Sequence, residues 1–305
     1  MTTVLVTGAC GFVGRHVCDY LKQLQPAPKI IGLDVKDNAD TACDSFCRLN
    51  LASTEDLAEL IERYKPAYII HLAGIFGTQD HLEIYRANVL FMAALLEAVR
   101  RCAPNAVIVA AGSAAEYGQI APDRVPVDEQ TPCRPVTPYG LSKLLATQIA
   151  LYYHRLYNIC VTVVRPFQLI GKGVSVKLAP GAFARQLQQA RSNGTRTIKV
   201  GNLETARDFL DVHDAVEALW ALCQKPACGQ VFNLCCGKPT KISELLRMMI
   251  EQCGINAKVE VDPARLRGKS DISSIYGSYQ RLKDHCGWTP KRSLRESIAQ
   301  MFEHQ

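Results

Sequence analysis

Short apolar runs alternate with helical patterns along the first half of the chain, and this alternation predicts the fold. The runs that predict strands cover residues 4–6, 30–33, 68–72, 106–109 and 161–164. Between them, apolar residues recur three or four positions apart, as Val13, Val17 and Leu21 do, which predicts helices. The longest predicted helices cover residues 84–101 and 139–157. Apolar strands interleaved with helices are typical of a parallel sheet covered on both faces, so we predict a doubly wound α/β fold of the Rossmann type.

The pattern changes after about residue 170. Helices are predicted there over residues 180–193, 213–224, 241–253 and 293–303, and short strands near 197–200, 231–235 and 258–262. We therefore expect a Rossmann domain over residues 1–170 and a smaller C-terminal α/β lobe over residues 171–305. Some strands and helices of the second part would return to the first. The lobe would lie over the carboxyl edge of the sheet, where such folds bind ligands.

Composition and charge narrow the class of protein. The chain has 305 residues, of which 48% are hydrophobic and 21% charged, so it can bury a large core. The net charge of +6 is diffuse, with Arg100-Arg101 as the longest basic cluster, which does not indicate nucleic-acid binding. No apolar run approaches the ~20 residues that span a bilayer, and a turn at Gly8 excludes a signal peptide. We expect a cytoplasmic protein that binds neither nucleic acid nor a membrane.

Thirteen cysteines are present, but they fit no zinc-binding spacing. Cys43 and Cys47 have no matching second pair, and Cys235 and Cys236 are adjacent. The count is odd, and several cysteines lie in apolar runs such as residues 159–161. We therefore expect buried, reduced thiols and no metal site.

Three glycines, Gly8, Gly11 and Gly14, lie between the first predicted strand and the first predicted helix. Gly8 would permit a tight turn, Gly11 would let the backbone approach a pyrophosphate, and Gly14 would let the helix pack closely on the sheet. The start of the helix adds N–H groups and a partial positive charge for phosphates. Residues 1–170 are therefore predicted to bind a dinucleotide. A strand–helix junction without a ligand is the alternative.

Asp34 ends the second predicted strand, twenty residues after Gly14. A carboxylate at this place accepts hydrogen bonds from both hydroxyls of an adenosine ribose and repels a 2′-phosphate. NAD(H) is therefore the favoured cofactor. Lys36 follows closely and weakens this preference, so NADP(H) remains an alternative.

Tyr139 and Lys143 lie four positions apart at the start of a predicted helix, which puts both side chains on one face. A free phenol has a pKa of about 10, and a neighbouring ammonium, together with a cationic nicotinamide, would lower the pKa of Tyr139. The phenol would then exchange a proton with a substrate oxygen while hydride moves at the carbon. Ser113, after the preceding strand, would hydrogen-bond the same oxygen. Each motif alone also fits an exposed helix pair or a strand-end cap, but their co-occurrence favours catalysis.

In combination, these motifs resemble the extended short-chain dehydrogenase/reductases. The motifs are Thr7–Gly14, His71–Gly74, Asn88, Ser113–Gly118, Tyr139 with Lys143, and Arg165–Phe167. The resemblance covers nearly the whole chain. It implies that Ser113, Tyr139 and Lys143 form a catalytic triad and that Lys143 also binds the nicotinamide ribose.

The same resemblance implies further contacts. The implied cofactor contacts are Gly8, Gly11, Phe12, Val13, Gly14, Asp34, Asn50, Leu51, Leu72, Ala73, Gly74, Tyr139, Lys143 and Pro166. The implied substrate contacts are Asn88, Glu116, Gln168, Arg207 and Arg267. Asn50 stands where the family usually has Asp near the adenine, and Glu116 is expected mainly to orient its loop. Arg207 and Arg267 suit a diphosphate, because a guanidinium forms two parallel bonds to phosphate oxygens; ordinary surface salt bridges are the alternative.

Several segments are similar to those of bacterial GDP-6-deoxy-D-mannose reductases. These segments are 126–139, 206–214, 262–271 and 287–290. Sugar 4,6-dehydratases have an acidic pair where this chain has Ala114 and Ala115, and sugar decarboxylases have Glu in place of Ala115. Methyl groups do not transfer protons, so both reactions are disfavoured. Two departures bear on substrate identity: Gln168 replaces the family's Asn, and Lys172 replaces the proline of its Gly-Pro-Gly.

The resemblance implies an NAD(P)H-dependent reductase that converts GDP-4-keto-6-deoxy-mannose to GDP-D-rhamnose. An alternative with the same triad is an NAD-dependent nucleotide-sugar 4-epimerase. An alternative of another class is a non-catalytic dinucleotide-sensing protein, which the intact triad argues against. Residues 171–305 would be mostly a nucleotide-sugar-binding lobe. The resemblance also implies a homodimer formed through helices 84–101 and 139–157.

Overall fold

The computed structural model of the protein describes residues 2–37, 41–49, 53–194, 196–266 and 274–303. The strands are β1 Thr3–Thr7, β2 Lys29–Asp34, β3 Ser45–Arg48, β4 Tyr68–His71, β5 Val107–Ala111, β6 Val161–Pro166, β7 Gln168–Ile170, β8 Thr197–Val200, β9 Ala206–Asp211, β10 Val231–Leu234, β11 Pro239–Lys241, β12 Lys258–Val261 and β13 Ser274–Ile275. The helices are α1 Phe12–Gln23, α2 Thr54–Tyr64, α3 His81–Tyr85, α4 Phe91–Cys102, α5 Pro138–Tyr157, α6 Ala179–Asn193, α7 Val212–Gln224, α8 Ile242–Cys253, α9 Gln280–Cys286 and α10 Leu294–Phe302. A π-helical segment, Arg86–Leu90, joins α3 to α4.

Seven parallel strands form the central sheet in the order β10-β6-β5-β4-β1-β2-β3. The side chains of β1 alternate between its two faces. Val4 and Val6 pack in the core with α1 and α7, whereas Leu5 packs in the core with α2, α4 and α5. The predicted doubly wound α/β fold is confirmed. The chain order of the strands reverses between β1 and β4, where folds of this kind bind ligands.

A smaller sheet is built around β9. The strands β7 and β13 run parallel to β9, and β11 runs antiparallel to it, while β8 and β12 form a separate parallel pair. The helices α6, α8 and α10 pack around Leu187, Phe209, Leu245 and Ile298. Because β7 follows β6 after one residue, this sheet begins at the carboxyl edge of the central one. Later in the chain, β10 and α7 return to the central sheet. The domain boundary at residue 170 stays a prediction.

The structure departs from the predicted elements in two ways. The helix predicted over residues 84–101 begins at His81 and runs through the π-helical segment. The sequence pattern also does not predict β3, β7, β9, β11, β13 or α9. These strands have two to six residues, too few to establish a period, and charged residues interrupt the apolar pattern of β9.

Cys160 and Cys228 form a disulfide with an S–S distance of 1.96 Å. The expectation of reduced thiols is therefore wrong for this pair. Cys160 precedes β6 and Cys228 precedes β10, and these strands are neighbours, with the Gly229 N–H donating to the Val161 carbonyl at 2.8 Å. The sheet thus brings together two cysteines that are 68 residues apart in sequence. None of the eleven other cysteines, all within the described residues, forms a disulfide.

Membrane-spanning helices and metal-binding clusters are both absent from the described ranges. No described helix is long and apolar enough to cross a membrane. No group of three or more His, Cys, Asp or Glu side chains in the same ranges is placed to hold a metal ion.

Asp214 ties the C-terminal segment to α7. Its buried carboxylate accepts the backbone N–H groups of Lys291 at 2.8 Å and Arg292 at 2.9 Å, and it also pairs with the Arg292 guanidinium. Its backbone carbonyl accepts the indole N–H of Trp288 at 3.0 Å. One residue at the start of α7 therefore holds the chain between α9 and α10.

We expect Asp214→Ala to lower the free energy of unfolding by about 2–4 kcal/mol, because buried N–H donors and a partly buried guanidinium lose their acceptor. Urea titration followed by circular dichroism measures this loss. Glu217→Gln is the matched control, because Glu217 pairs with Lys291 and Arg292 at the protein surface. It should cost about 1 kcal/mol or less, and equal losses for the two variants would contradict the anchoring role of Asp214.

Candidate active site

A groove runs along the carboxyl edge of the central sheet, where β1, β4, β5 and β6 end. It contains a cavity of about 470 Å³ that extends from the glycine loop to Tyr139 and Lys143. A second cavity of about 180 Å³ adjoins it beside Asp34. Every described residue that the sequence implies as a cofactor contact lines one or both of these cavities. Asn50 and Leu51 lie outside the described residues.

The glycine loop leaves no room for a side chain at Gly8 or Gly14. Gly8 has a φ of +73°, and a Cβ there would lie 2.8 Å from the Ala73 backbone nitrogen. A Cβ on Gly14 would lie 2.1 Å from the Gly8 carbonyl oxygen, so the first turn of α1 can pack on the loop only with glycine. Gly11 caps α1 without a side chain, which leaves the first N–H groups of the helix facing the groove. The loop therefore has the shape and polarity of a phosphate-binding turn.

Asp34 and Lys36 stand together at the end of β2. One carboxylate oxygen of Asp34 accepts the Cys10 N–H at 2.9 Å, and the other accepts the Lys36 N–H at 3.1 Å. These bonds fix the carboxylate against the glycine loop. Both Asp34 and Lys36 line the smaller cavity, so a carboxylate and an ammonium face the same space.

His71 supports the loop that follows β4. Burial and the nearby Lys143 ammonium lower the pKa of His71 to about 3, so the ring is neutral. A ring nitrogen lies 2.7 Å from the Thr7 hydroxyl, and that hydroxyl oxygen accepts the Ala73 N–H at 3.3 Å. This chain of bonds holds the end of β1 to the Leu72–Gly74 segment.

Ser113, Tyr139 and Lys143 meet where the cofactor groove joins a larger cavity of about 760 Å³. Ser113 follows β5 and caps a short 3-10 turn, while Tyr139 and Lys143 lie in the first turns of α5, which Thr137 caps. Ser113 and Tyr139 line both cavities, so both side chains stand at the junction between them. Lys143 is buried, and its ammonium donates to the Ala111 carbonyl at 2.8 Å. The sequence prediction that these three residues converge agrees with this arrangement.

Burial dominates the pKa values of Tyr139 and Lys143. It raises the pKa of the Tyr139 phenol above the usual value, although the nearby Ser113 side chain opposes this change. Burial also lowers the pKa of Lys143 to about 8, with the Glu116 carboxylate opposing it. The Lys143 ammonium is bonded to the Ala111 carbonyl. A lowering of the Tyr139 pKa by this ammonium together with a cationic nicotinamide stays a prediction.

Glu116 lies beneath Ser113 and is fully buried. Its carboxylate accepts the Ser113 N–H at 2.9 Å, the Thr147 hydroxyl at 3.1 Å and the Arg165 Nε–H at 2.9 Å. These partners belong to the turn after β5, to α5 and to β6. These contacts agree with the expectation that Glu116 orients its loop. The Glu116 side chain does not line the cavity of about 760 Å³.

The same network reaches the edge of the central sheet. The Arg165 guanidinium donates to the Tyr117 hydroxyl at 3.2 Å, and Tyr117 donates to the Asn233 side-chain oxygen at 2.6 Å. Asn233 lies on β10 and also donates to the Val127 carbonyl at 3.0 Å. Sequence analysis assigned no role to Arg165, Tyr117 or Asn233, although Ser113-x-x-Glu116 is the spacing of a helix capping box.

Asn88, which the resemblance implies as a substrate contact, is 2% exposed and lies in the π-helical segment. Its side-chain oxygen accepts the Ile75 N–H at 2.8 Å. Its side-chain nitrogen donates to the Ile75 carbonyl at 3.1 Å and to the Ser142 hydroxyl at 2.8 Å. These bonds position the loop after β4 against α5. Asn88 does not line the cavity of about 760 Å³, and direct contact with substrate stays a prediction.

Gln168 and Arg207 lie in the walls of the large cavity and of a further cavity of about 430 Å³ between the small sheet and α6. Lys177, which sequence analysis missed, lines the same two cavities, and its ammonium lies 3.4 Å from the Gly77 carbonyl oxygen across the cleft. No periodicity marks an isolated lysine in a loop, so no sequence signal indicated it. Arg267 lies outside the described residues.

Comparison with known proteins gives one family. The model of the NAD dependent epimerase/dehydratase family matches residues 4–235. The chain is 29% identical to the GDP-6-deoxy-D-mannose reductase of Pseudomonas aeruginosa, over 97% of this chain and 94% of the relative. It is 28% identical to a putative UDP-glucose 4-epimerase of Methanocaldococcus jannaschii, over 97% and 95%. The solved structure of RMD from Pseudomonas aeruginosa complexed with NADPH superposes with a TM-score of 0.85 at 28% identity, covering 99% of this chain and 96% of that chain.

Glu116→Gln should lower the free energy of unfolding by about 3 kcal/mol, because it leaves the buried Arg165 guanidinium without a counter-charge. Urea titration measures this loss. The double variant Glu116→Gln/Arg165→Met should be less destabilised than the single variant, since no buried charge then lacks its partner. An equal or larger loss in the double variant would contradict a tightly coupled ion pair.

Proposed function

Because the chain belongs to the NAD dependent epimerase/dehydratase family, we propose that it reduces the 4-keto group of a nucleotide-activated 6-deoxy sugar. The chain is an NAD(P)-dependent enzyme of the nucleotide-sugar type. Within that class, the proposed substrate is GDP-4-keto-6-deoxy-mannose and the proposed product is GDP-D-rhamnose. The reductase relative and the segments similar to such reductases support this choice.

One observation carries the proposal: Ser113 and Tyr139 line both the groove of the glycine loop and the cavity beneath the small sheet. An oxidoreductase needs this arrangement, because cofactor and substrate must meet at the residue that transfers the proton. A protein that only sensed dinucleotides would need neither the second cavity nor a hydroxyl pair at the junction. The arrangement therefore supports catalysis over sensing.

The described residues fit a nicotinamide dinucleotide. The glycine loop and the start of α1 would hold the pyrophosphate, Asp34 the adenosine ribose, and Lys143 the nicotinamide ribose. When bound, the reduced nicotinamide supplies the hydride. We propose NADH as the preferred form, because the Asp34 carboxylate is fixed in the adenosine end of the groove. Lys36 beside it would attract a 2′-phosphate and keeps NADPH as the competing form.

Tyr139 is proposed to give the proton to the substrate oxygen, with the Ser113 hydroxyl hydrogen-bonding the same atom. Since burial raises the pKa of Tyr139, the phenol keeps its proton at neutral pH and is ready to donate it. A reduced nicotinamide is uncharged and does not lower that pKa, whereas an oxidised one would. Reduction, which begins with a protonated phenol, is compatible with this pKa.

The small sheet is proposed to bind the nucleotide diphosphate. Arg207 lines both the large cavity and the one of about 430 Å³, so its guanidinium stands between the places for sugar and base. Gln168 occupies the boundary between the groove and the two substrate cavities, where it can bond the sugar. A diphosphate contact by Arg267 stays part of the proposal. Ala114 and Ala115 offer no acidic group, so we do not propose dehydration or decarboxylation.

We also propose a homodimer and a cytoplasmic location. Several apolar side chains of the segment before α4 and of α5 are exposed, among them Leu90, Leu145, Tyr152 and Leu156. Pairing these helices with a second copy would cover them. Light scattering coupled to gel filtration would find twice the monomer mass if the proposal is right and the monomer mass if it is wrong.

Tyr139→Phe should lower kcat by about 10²- to 10⁴-fold, because the variant lacks the proton donor. The measurement mixes protein, NADH and GDP-4-keto-6-deoxy-mannose and follows the nicotinamide absorbance. Cofactor affinity, measured by calorimetry, should change little. Tyr64→Phe is the matched control, because Tyr64 ends α2 and lines neither of the two cavities that meet at Tyr139.

The outcomes of this assay separate the candidate functions. Stoichiometric loss of NADH in the wild type, abolished in Tyr139→Phe, establishes a reductase. No loss of NADH rejects this substrate, and interconversion of nucleotide sugars with tightly retained cofactor would then indicate a 4-epimerase. Unchanged biological function of the Phe variant would indicate a dinucleotide sensor.

Asp34→Asn should raise the KM for NADH about tenfold, because the ribose hydroxyls lose a charged acceptor, and should lower the KM for NADPH. Steady-state kinetics with each cofactor measures both. Asp37→Asn serves as the control, since Asp37 is an exposed carboxylate paired with Arg48 at 2.7 Å, and should change either KM less than about twofold. A wild type that prefers NADPH would contradict the assignment of Asp34.

A further inference from the structure

Two thiols are in contact beneath the glycine loop, outside the residues of the proposed site. The Sγ atoms of Cys18 in α1 and Cys43 before β3 are 3.6 Å apart, although 25 residues separate them in sequence. Cys18 is fully buried, whereas Cys43 is half-buried. A reagent from solution therefore meets the Cys43 sulfur first.

Contacts on both sides hold the two sulfurs together. The Asp44 N–H donates to the Ile30 carbonyl at 2.9 Å, and the Asp44 carboxylate accepts the Ile30 N–H at 2.8 Å. Lys22 of α1 forms an ion pair with the same carboxylate. The segment that carries Cys43 is thus fixed to β2 and to the helix that carries Cys18. The approach of the sulfurs follows from this backbone arrangement rather than from one rotamer.

The surroundings of Cys43 favour its thiolate. The contact with the Cys18 thiol, together with Thr41 and Lys22, lowers the pKa of Cys43 to about 7, although burial opposes this. The same contact and burial raise the pKa of Cys18. Burial likewise raises the pKa of the Cys223 thiol. Cys43 therefore supplies the nucleophile that thiol–disulfide exchange requires.

We propose that Cys43 and Cys18 form a redox modification site that reacts with a low-molecular-weight disulfide such as oxidised glutathione. First, the Cys43 thiolate attacks one sulfur of the reagent; a bond to Cys43 forms, the reagent's own S–S bond breaks, and one glutathione thiolate leaves. Next, the Cys18 thiol loses its proton to water, attacks the Cys43 sulfur and displaces the second glutathione thiolate. Two protein thiols are oxidised to a disulfide, and one reagent molecule is reduced to two thiols.

Oxidation at this place is coupled to the glycine loop by packing. The Cys43 sulfur lies 2.6 Å from the position that a Cβ would take at Gly32, and that position is 3.2 Å from the Ala9 Cβ. A disulfide would draw the sulfurs from 3.6 Å to about 2.05 Å, and a close-packed interior passes such a shift to its neighbours. The next residue, Cys10, donates its N–H to Asp34. We therefore expect oxidation to weaken cofactor binding, a consequence that rests on the proposed function.

The test treats the full-length protein with oxidised glutathione near neutral pH, blocks the remaining thiols and maps the unreduced peptides by mass spectrometry. We expect a linked peptide that contains Cys18 and Cys43. The Kd for NADH, measured by calorimetry, should rise about tenfold, as for the loss of one hydrogen bond to a charged group, and dithiothreitol should reverse it. Protein exposed to dithiothreitol alone controls for reduction of the Cys160–Cys228 disulfide.

Variants separate the two steps. Cys18→Ser should stop at a single glutathione adduct on Cys43, and Cys43→Ser should form neither product. Cys102→Ser is the matched control, because Cys102 is a half-buried thiol at the end of α4, and it should behave as the wild type. Thermal unfolding of each variant verifies that it is folded.

Two results would overturn the inference. An absent linked peptide and an unmodified Cys43 in folded wild-type protein would reject the modification site. A linked peptide with an unchanged Kd for NADH would reject its coupling to the cofactor. If untreated protein bound no NADH, the proposed function would fail, while the peptide map would still decide whether the thiol pair reacts.

Discussion

The buried ion pair between Glu116 and Arg165 is the interaction on which the geometry of the site depends. Glu116 bonds the Ser113 backbone, the Thr147 hydroxyl of α5 and the Arg165 guanidinium of β6. The turn that presents Ser113 and the helix that presents Tyr139 are therefore fixed to one carboxylate. A buried ion pair adds little net stability compared with apolar packing, but it tolerates few alternative arrangements. Its contribution here is to set the distance between the two hydroxyl groups at the junction of the cavities.

The same burial sets the proton affinities of the site. Desolvation disfavours the charged forms of both Tyr139 and Lys143, so the pKa of Tyr139 rises, the pKa of Lys143 falls, and the two values move apart. Lys143, with a pKa of about 8, still carries its charge at neutral pH, and its ammonium donates a hydrogen bond to the Ala111 carbonyl. Tyr139 is thus a protonated phenol in the same groove as the Lys143 ammonium. In the proposed reduction, this phenol supplies the proton.

The sequence predicts the parts of this site that are local and leaves out those that are not. Apart from β3, the strands of the central sheet can each be recognised within one segment of sequence. The same is true of the glycine loop and of the four-residue spacing of Tyr139 and Lys143. The tie from Glu116 to Arg165 joins residues 49 positions apart, and the one from Tyr117 to Asn233 joins residues 116 positions apart. Neither pair has a local pattern. The same holds for the disulfide Cys160–Cys228, which exists because β6 and β10 are neighbours.

Chemistry and recognition come from different sheets, and this division explains why the substrate is harder to predict than the reaction. The proposed proton transfer depends on α5 and the turn after β5, which pack on the central sheet. Arg207 belongs to β9, whose partners β7, β11 and β13 are short and distant in sequence. Gln168 and Lys172, where this chain departs from its family, lie on β7 or just beyond it, and Gln168 lines the large cavity. Differences in substrate among relatives with the same triad should therefore arise from the small sheet, since changes there leave the carboxylate beneath Ser113 undisturbed.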